Sequence, residues 1–283
     1  MVSVNLLSLM SLIYIVECQK PIKLDSYHSL ISHMEEGADI SFFFNTASCA
    51  PSSVSNTASL ISSSEYFPVF GGELKLFISI NTSNEKTGQT FFSQVRFIDQ
   101  KPNVLNEEIE TIWIANDTAF IFWGKPGFFV NNTADIDLVA CSWTKGEGNI
   151  WMKQNREQKH LTSFNDIKAV LTSGEKVRWI VNGGCKCPPD VDVCGDGSIG
   201  DTIRDFKIMT DGSLSFSTSM TIHAFLSWRY TRIIVFGHVY DNNTANLTIS
   251  YLDPTTWDDT EDHVISCPIA SENSTEGANF FYC

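Results

Sequence analysis

The sequence predicts a mainly β chain with some helix (α+β). It reads as two tandem antiparallel domains, barrel-like or sandwich-like, each opened by one short helix. Three observations carry that expectation. The chain repeats itself, with Ser26 of one stretch matching Ser163 of another, a spacing of 163 − 26 = 137 residues. Each repeat opens on an amphipathic helix signal. After each helix come short alternating apolar segments joined by polar turns, the pattern of antiparallel β structure.

Composition bounds the rest. At 283 residues, 43% hydrophobic and 18% charged, the chain can bury a sizeable core in one or two domains and is neither collagen-like nor disordered. The net charge of −14 argues against phosphate backbones and anionic lipid surfaces as partners. No nucleic-acid binding is expected.

Met1 to Val16 is almost wholly apolar. The run is too short and too near the end for an ordinary spanning helix, and Val16 and Cys18 suit the −3 and −1 cleavage positions. Residues 1–18 are read as a signal peptide. A buried strand or an uncleaved anchor is the alternative. No later stretch reaches the ~20 apolar residues of a transmembrane helix, so no membrane insertion is expected. Asn-x-Ser/Thr sequons at Asn81, Asn116, Asn131, Asn242, Asn246 and Asn273 fit a secreted, extracellular glycoprotein, with each used site on an exposed surface.

The first repeat opens at Ser26, an N-cap, followed by Tyr27, Leu30, Ile31 and Met34 at helical spacing and by Gly37 as stop. Ile40, Phe42 and Phe44 then alternate as a strand. The second opens at Ser163, with Phe164, Ile167 and Leu171 on one face, Gly174 as stop, and Val177, Trp179 and Val181 alternating. Further strand candidates in the first repeat are 74–80, 91–98, 111–114, 119–123 and 136–141. In the second they are 203–209, 214–222, 231–240, 247–251 and 263–267. Asn116 to Trp143 aligns without a gap on Asn242 to Ile269. The resulting division is domain one at 19–143, a polar linker at 144–162, domain two at 163–270 and a tail at 271–283. A meander closing towards a barrel, packed by the opening helix, is the favoured form.

The duplication also assigns cysteines. Cys49 and Cys141 occupy positions equivalent to Cys185 and Cys267, so Cys49–Cys141 and Cys185–Cys267 are expected, each tying a first strand to a last one. Cys187 and Cys194 exist only in the second repeat and suit a small local loop, with re-pairing among Cys185, Cys187 and Cys194 open. Cys283 is odd, leaving a free thiol or a disulfide-linked dimer.

These features resemble the VirK family, small secreted or periplasmic domains first named in bacteria. The residues that carry the likeness in the first repeat are Ser26-Tyr27, Leu30, Met34-Glu35-Glu36-Gly37, the strand to Cys49, Gly71-Gly72 and Cys141. In the second they are Ser163-Phe164, Val170-Leu171, Gly174, the strand to Cys185, Tyr251-Leu252-Asp253-Pro254 and Cys267-Pro268. The first repeat departs at the end, with Phe128-Phe129 where the turn belongs and Ser142 in place of the proline. The resemblance implies a secreted, disulfide-tied, β-rich domain and supplies no catalytic mechanism.

Candidate sites are few. Asp190, Asp192, Asp196 and Asp201 place oxygens at near-alternate positions around Gly195 and Gly197, a calcium-like loop. Cys194 sits at a ligand position and Asp201 replaces the bidentate Glu, so a plain polar turn is the simpler reading. No cofactor is otherwise expected. The run Trp257 to His263 reads as a solvated acidic loop. Were a barrel hollow, Phe120, Phe122 and Trp123, or Trp179, Phe216 and Trp228, would line an apolar pocket; a packed core is the alternative. No HExxH, nucleophile elbow or Walker loop occurs. The expectation is therefore a secreted, non-enzymatic protein that binds an extracellular ligand or partner. A structural role in an extracellular, calcified matrix and an enzyme of unknown type are the alternatives.

Overall fold

The computed structural model describes residues 21–51, 70–81, 88–101, 104–124, 137–153, 159–186, 197–224, 229–254, 256–272, 274 and 276–282. The first half contains β1 (Ile22–Leu24), α1 (Tyr27–Glu35), β2 (Asp39–Phe44), β3 (Ala50–Pro51), β4 (Phe70–Glu73), β5 (Phe77–Asn81), β6 (Gly88–Lys101), β7 (Val104–Ala115), β8 (Thr118–Gly124), β9 (Asp137–Ser142) and β10 (Gly148–Lys153). The second contains β11 (Lys159–Leu161), α2 (Phe164–Thr172), β12 (Val177–Val181), β13 (Ser198–Ile203), β14 (Phe206–Ile208), β15 (Leu214–Ala224), β16 (Arg229–Val239), β17 (Thr244–Leu252), β18 (Asp259–Pro268) and β19 (Ala278–Tyr282).

Both helices form where the spacing places them. Ser26 Oγ accepts the backbone N–H of Ser29 and Ser163 Oγ that of Asp166, each at 3.2 Å, satisfying donors that a helix start leaves open. Gly37 and Gly174 follow at φ +84° and +87°, a left-handed conformation that L side chains resist. The buried stripes are Tyr27, Leu30, Ile31 and Met34 in α1, and Phe164, Ile167 and Leu171 in α2.

The strands repeat one plan. In the first half β1-β10-β2-β4 make a four-stranded antiparallel sheet, and β5-β6-β7-β8-β9 a meander extended by β3. In the second half β11-β19-β12-β13 correspond to the former and β14-β15-β16-β17-β18 to the latter. Registers agree as well. Ala119 pairs with Cys141 as Ala245 pairs with Cys267. Gly71 pairs with Phe43 as Gly200 pairs with Ile180. At both glycines a Cβ would stand 2.7 Å from a carbonyl oxygen, that of Phe42 or Trp179, so the same close backbone approach excludes a side chain in each half.

Within each half the two sheets pack face to face with the helix against the same core. Ile40, Phe42 and Ile150 of one sheet meet Phe92, Ile112 and Ile121 of the other in the first half. Val177, Trp179 and Phe280 meet Phe216, Val235, Leu247 and Ile265 in the second. The fold is thus mainly β, antiparallel and sandwich-like. The barrel closure favoured from sequence does not occur among the described residues. Closure would require β5 to meet β9, but β5 spends its outer edge on β13 and β9 on β3.

That β13–β5 pairing joins the halves. It runs Ser198–Ser79, Ile199–Ile78 and Gly200–Phe77, and fuses one four-stranded sheet with the other half's meander into ten strands. Two stretches differ from the sequence reading. Residues 144–162, read as a linker, carry β10 and β11, and the tail 271–283 carries β19, a strand between β11 and β12.

Candidate functional site

The two disulfides form as the duplication requires. Cys49–Cys141 spans 92 residues and Cys185–Cys267 spans 82, with Cα separations of 4.6 and 4.4 Å. Each pins the chain just past the second strand of the four-stranded sheet to the last strand of the meander. They frame each half.

The other sequence-predicted site residues scatter. Asp201 lies inside β13, 1% exposed, and its carboxylate accepts Thr202 N–H at 2.7 Å, an Arg204 guanidinium N–H at 3.4 Å and the Thr218 hydroxyl. Those contacts make it an internal acceptor of the sheet. Its companions Asp190, Asp192 and Asp196 lie outside the described residues, as do Cys187, Cys194, Cys283, Asn131, Asn273 and Trp228. No group of three or more metal-ligating side chains comes together among the described residues.

The aromatic candidates fall in two separate places. Phe120 stacks on Trp113 at 4.6 Å on the outer face of the first meander, and Phe122 is buried there with Ile109 and Tyr230. Trp179 and Phe216 pack on each other at 5.6 Å in the second core. Trp123 lies in β8, with its side chain undescribed. Among the sequons, Asn116 and Asn242 are exposed at hairpin turns, Asn81 ends β5, and Asn246 is half-buried within β17. Asn242 Oδ1 accepts Thr244 N–H at 3.1 Å and its hydroxyl at 2.6 Å. The acidic run forms the start of β18, preceded by exposed Trp257 with the Arg232 guanidinium 4.4 Å above its ring.

What the sequence reading missed is a cleft of about 470 Å³ between the halves. One wall is Asp39, Glu73, Leu74 and Lys75. The other is the end of α2 with Glu175 and Lys176, together with Thr202, Ile203, Arg204 and Phe206. The repeat plan makes the walls counterparts: Leu74 matches Ile203 and Lys75 matches Arg204. A signal was present in the sequence, since Gly71-Gly-Glu-Leu-Lys75 and Gly200-Asp-Thr-Ile-Arg204 both read glycine, two residues, an aliphatic, a cation.

Three of the cleft's charges have partners. Asp39 receives Arg178 at 3.2 Å across the joint, Glu73 receives Lys153, and Arg204 meets Asp201. The hydrogen bond from Lys153 holds the Glu73 carboxyl below its ordinary range, with Lys176 and Lys75 adding weaker attraction. Glu73 is therefore ionised and engaged, and Lys75 and Lys176 present positive charge over a base of Leu74, Leu171, Ile203 and Phe206.

Comparison with known proteins places the second half. The family model described as VirK protein matches residues 160–257. A crystal structure of a VirK family protein from Legionella pneumophila aligns with 12% identity over 43% of this chain and 98% of that one, at a TM-score of 0.37. No curated protein matches the sequence. The family match covers the region from β11 through β17, and the first half repeats the strand order and register of the second. No helix among the described residues is long and apolar enough to cross a membrane.

Proposed function

We propose that the chain is a secreted, non-enzymatic binding protein of two VirK-like units, and that its ligand is a small amphipathic anion held in the cleft between them. The cleft is the observation that carries this reading. Its base is apolar, its rim carries Lys75 and Lys176, with Arg204 paired to Asp201, and two of its acids, Asp39 and Glu73, are already tied to Arg178 and Lys153. A carboxylate on a short hydrocarbon body suits such a lining, since apolar walls supply area and a few placed cations fix orientation. Secretion is supported by the leader-like start, the sequons and two disulfides that persist only in oxidising compartments. The first half belongs to the proposal as a second VirK-like unit, built on the same strand plan.

The test uses a fluorescent fatty acid, 11-(dansylamino)undecanoic acid, titrated into the full chain. Saturable enhancement is expected, with affinity falling about tenfold or more in Lys75→Glu/Lys176→Glu, about 1.4 kcal/mol or more. No saturable binding, or binding indifferent to the double substitution, removes the proposal.

A further inference from the structure

The β5–β13 ladder sets Ser198 against Ser79, Ile199 against Ile78 and Gly200 against Phe77. Carried on in register, it sets Ile203 against Leu74 and Phe206 against Gly71. That register maps onto itself when the halves are exchanged, because Gly71 matches Gly200 and Phe206 matches Phe77. The joint therefore has a local two-fold passing between Leu74 and Ile203. One arm of it is zipped as β5–β13. In the other arm β4 and β14 form no ladder with each other, and the cleft lies there, lined by Glu73, Leu74, Ile203 and Phe206.

Both edges of this open arm turn main-chain groups outward. Leu74 N–H donates to Ile40 O at 2.8 Å, so the alternation of an antiparallel ladder points the N–H and C=O of Gly71 and Glu73 away from β2. Met209 N–H donates to Ser213 O at 2.8 Å, so those of Phe206 and Ile208 point away from β15. Among the described strands none pairs with either outward edge. Gly71, Glu73 and Ile208 are exposed.

Past Leu74 and Ile203 the two strands pair with each other, so a chain laid along β14 must end there. Antiparallel to β14, it runs its C-terminus towards that end, where Lys75 and Lys176 stand in the walls. We propose that the ligand of the cleft is the C-terminal end of an extended peptide, added as a strand to the free edge of β14. This rests on the cleft reading above and narrows its amphipathic anion to a peptide carboxylate. Main-chain bonds to Phe206 and Ile208 supply affinity, and the terminal carboxylate meets the two lysines. Alternate side chains lie on Leu171, Ile203 and Phe206, which suits apolar, β-branched residues.

The test is a fluorescence titration of the full chain with a dansylated pentapeptide, glycine-serine-valine-threonine-isoleucine, bearing a free carboxylate. Saturable binding is expected, displaced by undecanoic acid. The C-terminal amide, and separately the peptide N-methylated at its third and fourth residues, are each expected to bind at least tenfold more weakly. Ile208→Pro removes an outward N–H and leaves the β14–β15 bonds in place, since proline is tolerated on an edge strand. With circular dichroism retained, it is expected to weaken the free-acid peptide at least tenfold, and Ile208→Val to restore it. The inference is overturned if the peptide fails to bind while the dansylated fatty acid does. It is equally overturned if the amide or the N-methylated peptide binds like the parent peptide, or if a folded Ile208→Pro binds undiminished. Failure of both the peptide and the fatty acid would instead remove the cleft reading itself, and this inference with it.

Discussion

Single residues show how much each half depends on its cross-links and on one histidine. Closing loops of 92 and 82 residues constrains the unfolded chain, and each bond contributes about 4–5 kcal/mol in the chain-entropy account. Cys49→Ser/Cys141→Ser is expected to lose that amount in urea denaturation; a loss below about 1 kcal/mol would mean that β3–β9 pairing suffices alone. His160 in β11 stacks on Phe281 at 5.1 Å beside the joint. Burial pushes its pKa below the ordinary 6.5, and a weaker backbone contact with Glu272 pulls the other way. The charged form therefore favours the unfolded chain. Its stabilising contribution is complete above pH 6.5 and is lost as pH falls through the lowered value. Melting temperatures from about pH 7 down to about pH 5 should fall faster in the parent than in His160→Gln. A constant difference between the two would show that His160 does not titrate against the fold.

Among the elements, the two helix stops make a controlled comparison. Gly37 and Gly174 share a left-handed backbone, so an alanine at either costs about 1–2 kcal/mol. Only Gly37 also lies under Phe281, so Gly37→Ala adds overpacking of about 1–3 kcal/mol. Equal denaturation midpoints for the two substitutions would mean that β19 does not press on the α1 terminus. Both helices were legible in the sequence because cap, stripe and stop are local signals. The disulfides were legible because duplication supplied each pair with a precedent. β10 and β19 were not: GNIWMK and ANFFY lie beyond the cysteines that mark the repeat's end, in stretches polar enough to pass for linker and tail. The β13–β5 pairing was illegible for another reason. Leu76 and Ile78 alternate like any half-buried strand, and nothing in the pattern says which half's core they enter.

At the scale of the molecule, that exchange decides how the chain unfolds. Tandem domains with separate cores melt separately, each holding its own free energy. Here the second core contains Leu76 and Ile78 from the first half, and the first contains Ile180 and packs Phe281 from the second. β13 also takes its outer hydrogen bonds from β5. Unfolding either half would expose apolar surface and an unpaired strand edge on the other, so neither half-folded state is favourable. Calorimetry is expected to show one transition. Ile78→Ala sharpens the test, because its side chain belongs by sequence to one half and by packing to the other. Truncating it should cost about 2–4 kcal/mol and lower the midpoint reported by fluorescence and by proteolysis at sites in both halves together. Two resolved transitions, with only the second displaced by Ile78→Ala, would mean that the shared sheet joins two independent units without coupling them.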